Sequence, residues 1–193
     1  MLGLKLPTDP RWVNLAEKSL EDILTDHAYC EQKAATQCIS LIQLYPDKIR
    51  LVEEVAPIVT EEWGHFRMVI AELKKRNLSL GFQRKDEYVA ALNKFILKGG
   101  SRENRLVEKL LVCALIEARS CERFRILSLG LKEKELQEFY HRFMVSEAGH
   151  YRMFLDLAKE YGDRDKVKMR WQQYLDHEAR IMEELAVRGD RMH

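Results

Sequence analysis

The chain has 193 residues, enough to bury a core without staples, and its 32 Lys plus Arg against 31 Asp plus Glu leave a formal net charge of +1. That balance argues against a histone-like or polybasic binder, and only four Pro and nine Gly exclude collagen-like or disordered chains and disfavour a many-turned β-sandwich. The longest apolar run, Leu110 to Ile116, is far short of the roughly 20 residues that span a bilayer.

Asp9 to Glu17 predicts a short opening helix. Ser19 with Asp22 three residues on has the form of a capping box, and a long amphipathic helix follows to about Tyr45. Tyr45-Pro46-Asp47 breaks it, with Asp47 as the expected N-cap of a second helix reaching about Arg76. Pro57 falls inside that helix and predicts a kink or local break. Residues 77–82 read as loop and 86–97 as a shorter helix. Gly99-Gly100-Ser101 is the clearest linker, with Ser101 placed to cap a third long helix that ends at Leu129, before a C′ glycine at Gly130. A fourth helix spans about 133–161 and a fifth about 165–187. No segment alternates with period two for long enough to demand a strand.

The chain therefore reads as all-α and as a single domain over residues 1–193. Hairpin one covers about 19–76, a crossover about 77–101, hairpin two about 102–161 and a C-terminal helix about 165–187. This is the layout of a four-helix bundle with additional short and C-terminal helices. The first seven residues hold no signal-peptide core or small-residue cleavage site. Cys30, Cys38, Cys113 and Cys121 form no C-x-x-C and sit in apolar-periodic segments, the pattern of reduced, packed thiols in a cytoplasmic protein.

The informative feature is a repeat. Glu62-Trp-Gly-His65-Phe-Arg-Met68 recurs 85 residues later as Glu147-Ala-Gly-His150-Tyr-Arg-Met153. Positions i and i+3 share a helix face, so carboxylate and imidazole of each copy can reach one ion. Alone the motif is weak, since a third pair, Glu138 with His141, falls in the same chain about 180° round the helix from Glu147. A two-metal carboxylate site in a bundle needs one further Glu from each of the other two helices. Facing residues of an antiparallel hairpin are equidistant from its turn. The midpoint of Glu31 and Glu62 is 46.5, at the Pro46 turn. Glu117 and Glu147 average 132, against a turn near Leu131, whereas Glu122 and Glu147 average 134.5. The expected ligands are therefore Glu31, Glu62, His65, Glu117, Glu147 and His150, with Glu122 in reserve. Four carboxylates and two imidazoles suit iron or manganese, and the carboxylates neutralise two divalent ions. The alternative is that these are ordinary surface charges, which the repeat and the turn symmetry together oppose.

Several segments carry a resemblance. Asp26-His-Ala-Tyr-Cys-Glu31-Gln-Lys-Ala-Ala35, Glu62-Trp-Gly-His65, Leu115-Ile-Glu117-Ala-Arg-Ser-Cys-Glu-Arg-Phe124 and Ser146-Glu147-Ala-Gly-His150-Tyr151 resemble the tRNA hydroxylases that act on 2-methylthio-N6-isopentenyladenosine. The likeness runs from about Leu6 to the fifth helix. It implies a ferritin-like di-iron monooxygenase, holding two iron ions and using O2 as co-substrate, that hydroxylates the isopentenyl group of the adenosine beside the tRNA anticodon. Such a base is unpaired and can be splayed into a pocket at low cost. Lacking a flavin fingerprint or an iron–sulfur Cys cluster, the chain needs an external electron donor or reductase. Competing readings are a ferritin-like ferroxidase or peroxidase and a metal-free helical interaction bundle.

The remaining candidates are subsidiary. Cys121, one turn after Glu117, stands where related di-iron hydroxylases often place a hydroxyl or thiol on the oxygen side; a small core residue is the alternative. Glu61 could orient His150, since metal-bound imidazoles need an acceptor on the second nitrogen, and His27 faces the side of Glu31 as a supporting histidine. Trp63 reads as bundle packing. Given the resemblance, Lys98, Arg102 and Arg105 around the crossover are candidate tRNA phosphate contacts.

Overall fold

Seven helices make up the regular structure of residues 2–193, which the computed structural model describes: α1 (Trp12–Lys18), α2 (Leu20–Leu44), α3 (Ile49–Lys75), α4 (Glu87–Phe95), α5 (Arg102–Gly130), α6 (Lys134–Tyr161) and α7 (Arg164–Glu184). The expected all-α class is observed. No helix among the described residues is long and apolar enough to cross a membrane.

The described residues divide into two compact units. One comprises residues 14–85 with 188–192, and its centre is the antiparallel pair α2 and α3. The other comprises residues 2–13, 86–187 and 193, and is built on α5 packed against α6, with α4 and α7 against them. Each long pair buries a stripe at helical spacing. On α3 it runs Leu51, Val55, Glu62, His65, Val69, Leu73, and on α6 Phe139, Phe143, Glu147, His150, Phe154, Leu157. The Glu and His of each repeat thus occupy core positions of otherwise apolar stripes. α5 is buried almost all round in its middle, and α6 and α7 both pack on it.

The ends of the helices refine the sequence reading. Ser101 caps α5, its hydroxyl accepting from Asn104 N at 3.1 Å. Ser19 precedes α2 without a side-chain cap bond, and the residue before α3 is Lys48, not Asp47. The α1–α2 junction explains the first difference. Ser19 N already donates to Ala16 O at 3.1 Å, so Ser19 sits at ψ 40, outside the extended conformation an N-cap needs. α3 runs unbroken through Pro57. Pro57 and Glu53, whose carbonyl loses its amide partner, are both exposed, so water can replace that bond. Gly130 ends α5 inside the helix without a left-handed φ. A Cβ there would lie 3.0 Å from Val13 Cγ1, so the missing side chain lets residue 13 approach α5. Gly99 and Gly100 do adopt positive φ, at 98° and 77°, in the linker before Ser101.

Candidate metal centre

In the first hairpin α2 presents Glu31 and α3 presents Glu62 and His65. One carboxylate oxygen from each Glu and one imidazole nitrogen lie within 4.8 Å of one another. His65 Nδ1 is 3.3 Å from Glu31 Oε2 and 3.5 Å from Glu62 Oε2, so the ring nitrogen points between the two carboxylates. Behind them His27, fully buried one turn earlier on α2, donates from Nε2 to Glu31 Oε1 at 2.8 Å.

The second hairpin repeats this set. Glu117 from α5 and Glu147 and His150 from α6 again offer donor atoms within 4.8 Å of one another. His150 Nδ1 lies 3.5 Å from Glu147 Oε2, the same atoms at the same distance as in the first repeat. All six residues are buried, between 1 % exposed (Glu62) and 9 % (His65). Carboxylates removed from water and brought this close repel unless a cation lies among them. Carboxylate oxygen with imidazole nitrogen is a hard-to-borderline donor set that fits iron or manganese rather than a thiolate-seeking ion. Each half-site could hold a metal ion.

The residues next to these sets differ between the hairpins. Cys113 stands four residues before Glu117, where His27 stands before Glu31; burial pushes its thiol up to about 12. Cys121 donates to Met144 O at 3.3 Å, and its thiol is pushed up to about 11 by burial and then by the charges of Glu147 and Glu122. The Glu61 carboxylate, expected to face His150, lies 3.9 Å from Nε2 of His65, one turn on in its own helix. Ser146, at the matching position, has its hydroxyl 3.5 Å from His150 Nε2.

Glu122 is engaged elsewhere. Its Oε1 accepts from Thr8 N at 2.7 Å, and Oε2 accepts from Thr8 Oγ1 at 2.7 Å and Arg119 Nη1 at 2.6 Å. Arg119, fully buried, also donates from Nε to Glu178 Oε1 at 2.8 Å and from Nη2 to Leu6 O at 2.9 Å. Glu117, not Glu122, is the α5 carboxylate within reach of Glu147 and His150. The buried Arg119 network escaped the sequence reading; its only local signal was the Arg119/Glu122 pair at i, i+3 amid apolar residues. Glu138 and His141 are both exposed, with Glu138 4.0 Å from Lys134.

Other basic residues of the chain are engaged in ion pairs. Arg76 pairs with Glu72 at 2.7 Å, Arg84 with Asp190 at 2.8 Å and Arg170 with Glu108 at 2.7 Å. Of the crossover candidates, Lys98 is exposed, Arg102 half-buried and Arg105 exposed but donating to Gly100 O at 2.7 Å. Trp63, expected to pack, is 47 % exposed.

Comparison with known proteins bears on what these half-sites do. Residues 2–193 match a family model described as tRNA-(MS2IO6A)-hydroxylase (MiaE). A tRNA 2-(methylsulfanyl)-N(6)-isopentenyladenosine(37) hydroxylase of Pseudomonas putida is 38% identical, with 83% of this chain and 77% of the relative aligned. A protein of the same description from Salmonella typhimurium is 28% identical over 84% of this chain and 77% of its own length. Among solved structures, a protein with aldehyde deformylating oxygenase activity from Synechococcus superposes with a TM-score of 0.91 at 32% identity, covering 98% of this chain and 94% of that one. With that likeness the expected ferritin-like fold is borne out.

Proposed function

The chain belongs to the tRNA-(MS2IO6A)-hydroxylase (MiaE) family, and from that membership we propose that it hydroxylates the isopentenyl group of 2-methylthio-N6-isopentenyladenosine beside the tRNA anticodon, using two iron ions held by the Glu and His residues of its half-sites. The observation that carries the proposal is the duplicated set of two Glu and one His buried in each hairpin. In this reading the whole chain works as one ferritin-like domain in the cytoplasm. Glu31, Glu62 and His65 would hold iron from the first hairpin, and Glu117, Glu147 and His150 from the second. When bound, the iron pair supplies O2 activation for hydroxylation of an unactivated C–H bond.

The protein's own residues do the rest. The six ligands are withheld from water, which keeps their charges for the metal and keeps solvent from competing at the reacting centre. His27 fixes the rotamer of Glu31 through its 2.8 Å bond, as an outer partner of a metal ligand does. Glu61 and Ser146 stand beside the Nε2 atoms of His65 and His150, able to set which nitrogen of each ring carries the proton. The sequence has no Cys-x-x-Cys, so electrons would come from an external donor or reductase. Lys98, Arg102 and Arg105 would meet tRNA phosphates as a local patch on a molecule of net charge +1.

The test is turnover on the nucleic acid itself. Iron-loaded, reduced protein given O2 and an electron donor should convert the isopentenyl nucleoside of modified tRNA into one carrying an additional oxygen atom, and conversion should stop without the donor. Rapid oxidation of ferrous iron with the tRNA unchanged would instead identify a ferroxidase.

A further inference from the structure

α3 carries a second feature beside its buried Glu62 and His65. Trp63 directly follows Glu62, which turns its side chain about 100° round the helix from that carboxylate. Its indole stacks on the ring of Phe66, with centroids 4.9 Å apart and planes inclined by 26°. Trp12 and Trp171 are 1 % and 9 % exposed, whereas Trp63 is 47 % exposed. Beside it Gly64 carries no side chain, and the space where its Cβ would be is open. A stacked aromatic pair that leaves its indole half open to solvent runs against the ordinary burial of large rings.

The ridge continues toward the end of α3 with exposed Arg67, half-buried Ile70 and exposed Lys74. At the rise of an α-helix the two cations stand about 6 Å and about 16 Å beyond Trp63 along the axis. Of the acidic residues of α3, Glu53, Glu54, Glu61 and Glu62 precede Trp63, and Glu72 beyond it is buried and paired with Arg76. Aromatic faces that hold bases, followed by Lys and Arg that track phosphates, are how proteins grip unpaired nucleic acid. We propose that Trp63, backed by Phe66, is a stacking platform for an unpaired base of the RNA loop that flanks the target nucleotide, with Arg67 and Lys74 meeting the phosphates beyond it. The proposal rests on the reading of the chain as a tRNA hydroxylase. Arg67 and Lys74 complement a phosphate backbone, whereas a second copy of the chain would bring the same positive charges to this face.

The other two indoles are buried, so a change in tryptophan emission on adding RNA reports on Trp63. Iron-loaded protein is titrated with an anticodon stem–loop RNA and with a fully paired duplex of equal length, while the anisotropy of the labelled RNA records binding independently. The loop RNA should quench the emission and the duplex should not. Trp63→Ala should weaken loop binding about tenfold with iron content unchanged, and Trp63→Phe should hold affinity within about threefold, since a ring suffices for stacking. If the wild-type protein binds and hydroxylates loop RNA while its emission stays constant and Trp63→Ala binds equally well, the platform is refuted and the hydroxylase reading stands. Failure of the wild-type protein to bind any RNA would overturn both. Emission that changes with protein concentration alone would assign the face to self-association and overturn the platform.

Discussion

Glu117 and Glu122 stand five residues apart on α5, so their side chains leave the helix about 140° apart. Glu117 reaches Glu147 and His150, while Glu122 holds Arg119 and Thr8. Glu117→Ala should therefore abolish or strongly impair iron binding in the second half-site. Glu122→Ala should leave ferrous binding intact but cost about 3 kcal/mol of stability, because it strips a fully buried guanidinium of one partner; urea unfolding alongside an iron titration separates the two. Glu108 gives a pH signature. Burial raises its pKa, but hydrogen bonds from Arg170, Leu97 N and Tyr174 outweigh that and hold the carboxyl below its ordinary value of 4.5. A carboxyl lowered on folding contributes stability above its unfolded pKa and loses it as the pH falls through the folded one. Glu108→Gln should thus cost about 2 kcal/mol at neutral pH, with the difference from wild type shrinking as the pH drops below 4.5. Melting temperatures of both proteins across that range check it; a gap that widens in acid would contradict it.

Among the helices, the two serines at α2 and α5 form a natural control. Ser101 is extended and its hydroxyl caps α5, so Ser101→Ala should lower stability by about 1 kcal/mol. Ser19 makes no such bond, and Ser19→Ala should cost only about 0.3 kcal/mol or less. Both carry the local cap pattern in the sequence, and only the backbone distinguishes them. Apolar spacing was enough to place α2, α3, α5 and α6 to within a residue or two, because each buries a continuous stripe. It could not show that α1 runs directly into α2 and withholds the extended geometry from Ser19. Nor could it show that Pro57 would lie on an exposed face, where the helix continues through it.

For the chain as a whole, the legible part was what the repeat duplicates. Glu62/His65 and Glu147/His150 announce themselves by identical spacing, and turn symmetry singled out Glu31 and Glu117, which lie within reach of them in their own hairpins. Contacts between distant stretches of sequence stayed hidden. Thr8 with Glu122, 114 residues apart, and Arg191 with Asp26, 165 apart, follow no period, and neither does the exposure of Trp63. Net charge bears on binding at this scale. At +1 overall, tRNA affinity should come from local cations and weaken with added salt, with a slope of a few phosphates; reversing Lys98 and Arg102 to Glu should flatten that slope without removing iron. Both half-sites are proposed to hold iron, and an anaerobic ferrous titration of the purified chain tests this. Saturation near two ions per chain, falling when either Glu62 or Glu147 is replaced by Ala, is the predicted result. Saturation at one ion or none in the wild-type protein would contradict it.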